Sequence, residues 1–79
     1  TGSNFAIDHW GVEPDLITLG KGLSAGYMPL GAVVVGSHVV KAFESKGVFE
    51  HGFTYSGHPV SCAAGFAALE YLEENQLVK

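Results

Sequence analysis

Residues Ala32-Val33-Val34-Val35, bracketed by Gly31 and Gly36, form an unbroken apolar run with three β-branched side chains in succession. Such residues favour extended backbone, and a strand without apolar/polar alternation is one covered on both faces. It needs a layer above and a layer below. The chain has only 79 residues, and a domain that short buries roughly 60–65% of its unfolded surface. No staple compensates. Cys62 is the single cysteine and cannot close an internal disulfide, and no Cys/His spacing suits zinc or another metal. The sequence opens at Thr1-Gly2-Ser3 without a methionine and stops at Lys79 just after a helical stretch. The expectation is an internal segment, residues 1–79 forming part of a domain that neighbouring sequence completes.

The remaining elements follow from local signals. Phe5 to Trp10 suits a short helical turn ended by Gly11, and Pro14 then favours an extended path. Asp15 to Leu19 has strand character. Lys21 to Leu30, with Gly22, Gly26 and Pro29, is loop-like. The connection to Ala32–Val35 carries no helical pattern and is shorter than a parallel crossover needs, so the two strands are expected to pair antiparallel. Ser37 is a candidate N-cap for a helix through about Ser45, with Val39, Val40 and Phe43 as its apolar side and Gly47 as its stop. Residues 48–57 suit an ordered loop. Pro59 opens a longer helix to about Asn75, with Glu70, Glu73 and Glu74 outside and a face of small residues (Ala63, Ala64, Gly65, Ala67, Ala68) that lets another backbone approach. Trp10 and Cys62 are expected to be buried.

Composition removes whole classes of function. The 47% apolar and 15% charged content is that of a folded segment. Net charge is −4, with four lysines and no arginine, which argues against nucleic acid. No apolar run approaches the ~20 residues that span a bilayer. A lone thiol fits a reducing, cytoplasmic location.

The chemical signal is Lys21, delivered by the strand Asp15–Leu19 into Gly20-Lys21-Gly22-Leu23-Ser24-Ala25-Gly26. A lysine amine in a hydrophobic or cationic setting loses its proton more readily and can then form a Schiff base. The spacing is not that of a nucleotide-binding loop: Asp15 stands where its first glycine belongs, and Gly22 where its hydroxyl belongs. Taken alone, the triplet better suits a lysine that merely caps a strand.

The surrounding sequence goes further. Gly11-Val12-Glu13-Pro14-Asp15-Leu16, then Gly20-Lys21-Gly22-Leu23-Ser24-Ala25-Gly26-Tyr27-Met28-Pro29-Leu30-Gly31-Ala32, and downstream Phe53-Thr54-Tyr55-Ser56-Gly57-His58-Pro59, resemble the class III aminotransferases. These are pyridoxal-phosphate enzymes of fold type I, and Thr1-Gly2 is similar to the tail of that family's Gly-Arg-Thr-Gly turn. The resemblance covers essentially the whole chain. It implies an α/β fragment of the large domain, with a mixed, mostly parallel sheet, an antiparallel strand pair here, and flanking helices.

The resemblance also implies roles. Lys21 would hold the aldehyde of pyridoxal 5'-phosphate as a Schiff base, yield it to the incoming amine, and then move a proton between the substrate carbon and the cofactor C4′ carbon. Thr54, and the backbone N–H of Phe53, would bind the cofactor phosphate in the partner subunit's site. The enzyme would be a homodimer with shared sites, taking an amine or amino-acid donor and a 2-oxo acid acceptor. The stretches His9-Trp10-Gly11-Val12 and Tyr27-Met28-Pro29 are most similar to the ω-amino-acid:pyruvate type. Acetylornithine, 4-aminobutyrate, diaminopelargonate and glutamate-semialdehyde relatives remain alternatives. Tyr27 and Met28 are candidates to line the substrate channel. His51 and His58 flank the phosphate turn, His58 where relatives often carry asparagine; His9 and His38 suit the surface. The family's pyridine-binding Asp, its phosphate loop, its ring-stacking aromatic and its substrate arginine have no counterpart in these residues, so the segment alone is not expected to catalyse. A non-catalytic remnant of the fold, kept as a binding or interaction module, is the rival reading.

Overall fold

The computed structural model describes residues 1–78. In chain order these form a 3-10 segment Ala6–Trp10, strand β1 Leu16–Leu19, a second 3-10 segment Lys21–Ser24, strand β2 Ala32–Val35, helix α1 Ser37–Lys46 and helix α2 Pro59–Glu74. Residue 5 to 10 curls because Phe5 and Asp8 brace each other: the Phe5 N–H donates to Asp8 Oδ2, and the Asp8 N–H donates to the Phe5 carbonyl, each at 3.1 Å.

β1 and β2 pair antiparallel, with Leu16 opposite Val35, Ile17 opposite Val34, Thr18 opposite Val33 and Leu19 opposite Ala32. The Gly36 N–H donates to the Asp15 carbonyl at 2.8 Å and extends the pairing by one step. The expected antiparallel pairing therefore forms, as a two-stranded sheet.

Helix α1 starts one position differently from the expectation. Gly36 is its N-cap and makes no side-chain cap bond, while Ser37 is already helical. The Gly36 carbonyl takes both the Val39 and Val40 N–H groups, at 3.0 and 3.2 Å, so the first turn closes on backbone and needs no serine hydroxyl. From that turn His38 Nε2 reaches Asp15 Oδ1 at 2.9 Å, an exposed pair that ties the helix start to the residue before β1. Gly47 ends the helix with φ +90°, a left-handed turn that glycine adopts without a side-chain clash.

Helix α2 begins with proline at its first position, where the missing N–H has no helical partner to lose. It packs against the Lys21–Ser24 segment. The packed face is Ser61 and Gly65, both buried, with Ala64, Ala68 and Leu72 half-buried at helical spacing. Space dictates the glycine: a Cβ at Gly65 would run into Leu30 Cδ2 and lie 3.5 Å from the Leu23 carbonyl.

Among the described residues no apolar side chain is fully buried. The molecule is a slab of 42 × 33 × 17 Å with a radius of gyration of 14.8 Å, against roughly 11–12 Å for a compact domain of this length. Two expectations are corrected. Trp10 is 72% exposed, meeting only the edge of the His9 ring at 6.2 Å. Cys62 is exposed, because its neighbour Ser61 takes the packed position on α2. Both are apolar positions with no second layer over them.

Candidate active site

β1 ends at Leu19, Gly20 continues extended, and Lys21 then turns sharply, with φ +48°. For an L-residue with a side chain, left-handed backbone costs roughly 1–2 kcal/mol. Ala25 is left-handed as well, at φ +53°. The loop between is more structured than its glycines suggest. The Leu23 N–H donates to the Gly20 carbonyl at 3.0 Å, Ala25 to Gly22 at 3.1 Å, and Tyr27 to Ser24 at 3.1 Å. Ser24, 1% exposed, donates its hydroxyl to the Met28 carbonyl at 2.6 Å. With α2 packed behind it, this hydrogen-bonded stretch fixes the Lys21 backbone. The lysine side chain is exposed, and its amine enters no ion pair or hydrogen bond among the described residues. Cβ atoms built on Gly20 and Gly22 would meet nothing within 4 Å, so the backbone on either side of the lysine is open.

Thr54 stands in the second position of a turn closed by the Ser56 N–H on the Phe53 carbonyl at 3.0 Å. A second turn follows at once, with the His58 N–H on the Tyr55 carbonyl at 3.1 Å, and leads into α2. The Thr54 hydroxyl and the Phe53 N–H make no hydrogen bond among the described residues. His58 caps α2: its Nδ1 accepts the Ser61 N–H at 3.4 Å, and its carbonyl accepts the Cys62 N–H at 2.9 Å. His51 instead packs its ring near Phe49, 5.8 Å between centroids.

Two open hollows border these loops. One of about 480 Å³ is lined by Met28, Leu30, Phe53, Tyr55, His58 and Cys62 among others, and the other, of about 750 Å³, takes in Gly20, Gly22, Leu69 and Leu72. Phe53 and Met28 thus share a wall, whereas Tyr27 projects outward, 82% exposed. Lys21 and Thr54 lie on separate loops, and no hydrogen bond joins them. No group of three or more metal-ligating side chains occurs among the described residues. Sequence reasoning missed two residues: Ser24, which in a glycine-rich loop carries no sign of burial, and His58 as a cap. For the latter the signal was available, since a proline that opens a helix marks the residue before it as the N-cap.

The sequence pattern of the family aminotransferase class-III matches residues 1–79. The chain belongs to the class III aminotransferases. An uncharacterised aminotransferase of Sinorhizobium fredii is 49% identical over 98% of this chain and 17% of its own length. Gamma aminobutyrate transaminase 2 of Solanum lycopersicum is 44% identical over 99% of this chain and 18% of its own. The solved amine transaminase of an uncultivated Pseudomonas species, in its pyridoxal-phosphate-bound internal aldimine form, superposes with a TM-score of 0.90 at 41% identity, over 98% of this chain and 18% of that one. This class III chain therefore spans less than a fifth of the length of these relatives, and its fold is a fragment of theirs. The family's cofactor is pyridoxal phosphate. The residues present fit it: among the described residues, a primary amine without a partner on a braced turn, and a free hydroxyl and N–H on the loop that leads into α2.

Proposed function

We propose that residues 1–79 are part of the cofactor-binding large domain of a fold-type-I, mostly parallel α/β enzyme. It moves an amino group from an amine or amino acid to a 2-oxo acid, as a homodimer in the cytoplasm. The observation that carries this reading is Lys21 held in left-handed backbone at the end of β1, with its amine unpartnered. When bound, pyridoxal phosphate supplies the electron sink for a carbon–hydrogen bond next to the donor nitrogen. Lys21 Nζ would hold the cofactor aldehyde and, once freed by the donor amine, would serve as base and acid for the proton that leaves the donor carbon. Thr54 Oγ1 and the Phe53 N–H would hold the phosphate. Their place on a loop separate from Lys21 supports service to the partner's site. The exposed apolar faces of the strand pair support burial against the rest of the protein. A relative named for γ-aminobutyrate supports donors with a terminal amine.

Borohydride reduction of the full-length holoenzyme, followed by peptide mapping, tests the central assignment. The reduced cofactor should be found on Lys21. Finding it on Lys41 or Lys46, or on no lysine, overturns the reading in favour of a non-catalytic remnant.

A further inference from the structure

We infer that His58 is a positioning residue for the phosphate end of the cofactor, and that it positions only while its ring is neutral. The inference rests on the reading that Thr54 takes the phosphate. Three contacts converge on His58: its N–H closes the turn on the Tyr55 carbonyl at 3.1 Å, its carbonyl takes the Cys62 N–H at 2.9 Å, and its Nδ1 accepts the Ser61 N–H at 3.4 Å. The first belongs to the double turn that begins with Phe53 and Thr54; the other two belong to α2. His58 is therefore the joint between the double turn and a helix pinned by Ser61 and Gly65 against the lysine segment. The Tyr55 ring stands edge-on to it at 6.0 Å.

Acceptance at Nδ1 requires that this nitrogen carry no proton. When the ring takes a second proton, Nδ1–H faces the Ser61 N–H donor to donor, and a cation sits at the positive end of the helix dipole. The side-chain cap is lost, and the Thr54 turn is then joined to α2 only through the backbone hydrogen bonds of His58. The titratable groups that share the hollow with His58 are Tyr55, from its own loop, and Cys62, from α2; the Met28–Gly31 loop brings none. No carboxylate among the described residues lines that hollow, so nothing there offsets a cationic ring.

The test compares full-length wild type, His58→Asn, His58→Ala and Thr54→Ala. Asparagine caps a helix at any pH and alanine at none. Cofactor release from the holoenzyme, followed spectroscopically across pH, should match for wild type and His58→Asn near neutrality. In acid the wild type should release it roughly three- to ten-fold faster than His58→Asn, the size of a lost cap. His58→Ala should release it faster at every pH. Taking the ratio to His58→Asn cancels the titration of the cofactor and of Lys21. Hydrogen exchange at the Ser61 amide in the apoprotein should show the same acid-dependent ratio. Superimposable wild-type and His58→Asn profiles in both readouts overturn the inference, and they decide it even if His58→Ala fails to fold. If Thr54→Ala holds cofactor like wild type, the phosphate reading itself fails and takes the inference with it; weak retention in Thr54→Ala with superimposable His58 profiles sinks the inference alone.

Discussion

Lys21 occupies a backbone conformation that suits glycine better than lysine. Its φ of +48° follows an extended Gly20 and opens the 3-10 segment, and its side chain is exposed. A backbone outlier of this kind at an exposed lysine supports the chemical role proposed for it. The strain is measurable. In the full-length apoprotein, Lys21→Gly should be more stable than Lys21→Ala by about 1 kcal/mol, because glycine enters left-handed backbone freely and that gain exceeds its extra unfolded-state entropy. Urea denaturation of the two variants checks this; equal stabilities would mean that the turn is not strained. Both variants should lose turnover, since neither carries an amine. Lys21→Arg should lose it as well, because guanidinium keeps the charge but stays protonated. Thr54 presents the opposite case, an exposed residue outside the left-handed region, whose proposed role depends on a ligand and leaves no trace in its own backbone.

At the scale of elements, the site depends on how closely α2 approaches the lysine segment. Gly65 sets that distance, since a Cβ there would collide with Leu30 Cδ2. Alanine is the milder change, because it favours helix and the Leu30 tip can rotate away. Valine adds bulk that a rotation cannot clear. Gly65→Val should destabilise the full-length protein by roughly 1–3 kcal/mol. Combining it with Leu30→Ala should cost less than the two single changes added together. Thermal unfolding of the four species measures the coupling, and strict additivity would show that Leu30 is not the obstacle. The approach of α2 was legible in part. The small residues of 63–68 announced a close-packed face, and the caps Pro59 and Gly47 fixed the helix ends to within one residue. Which small residues face inward was not legible, because alanines and Gly65 follow one another with no polar position to set the phase. The structure chooses Ser61 and Gly65 and leaves Ala63 and Ala67 exposed. Strand pairing was legible from the short, helix-free connection. The 3-10 turn at Lys21–Ser24 was not, since its hydrogen bonds depend on a left-handed lysine that no propensity favours.

For the whole molecule the decisive fact is the missing interior. Val33 is 60% exposed and Val34 51%, on opposite faces of β2, in the strand whose sequence most calls for cover on both sides. Sequence could show that cover was required, because the run lacks alternation; it could not show what supplies the cover. The same reason explains why Trp10 and Cys62 were expected inside and stand outside: hydrophobicity marks a surface for burial without naming its partner. Two antiparallel strands are marginal in water without further strands or a covering helix, and here α2 packs mainly on the lysine segment rather than on the strands. An isolated peptide of residues 1–79 should therefore show no cooperative thermal transition by circular dichroism, and the amides of Val33–Val35 should exchange with deuterium near the rate of an unstructured chain. In the full-length protein the same three amides should be among the slowest to exchange, because a strand covered on both faces opens only with the whole domain. A cooperative melt of the peptide with protected valine amides would show that the sheet carries its own stability. The lysine turn would then be preorganised before the rest of the protein closes over it.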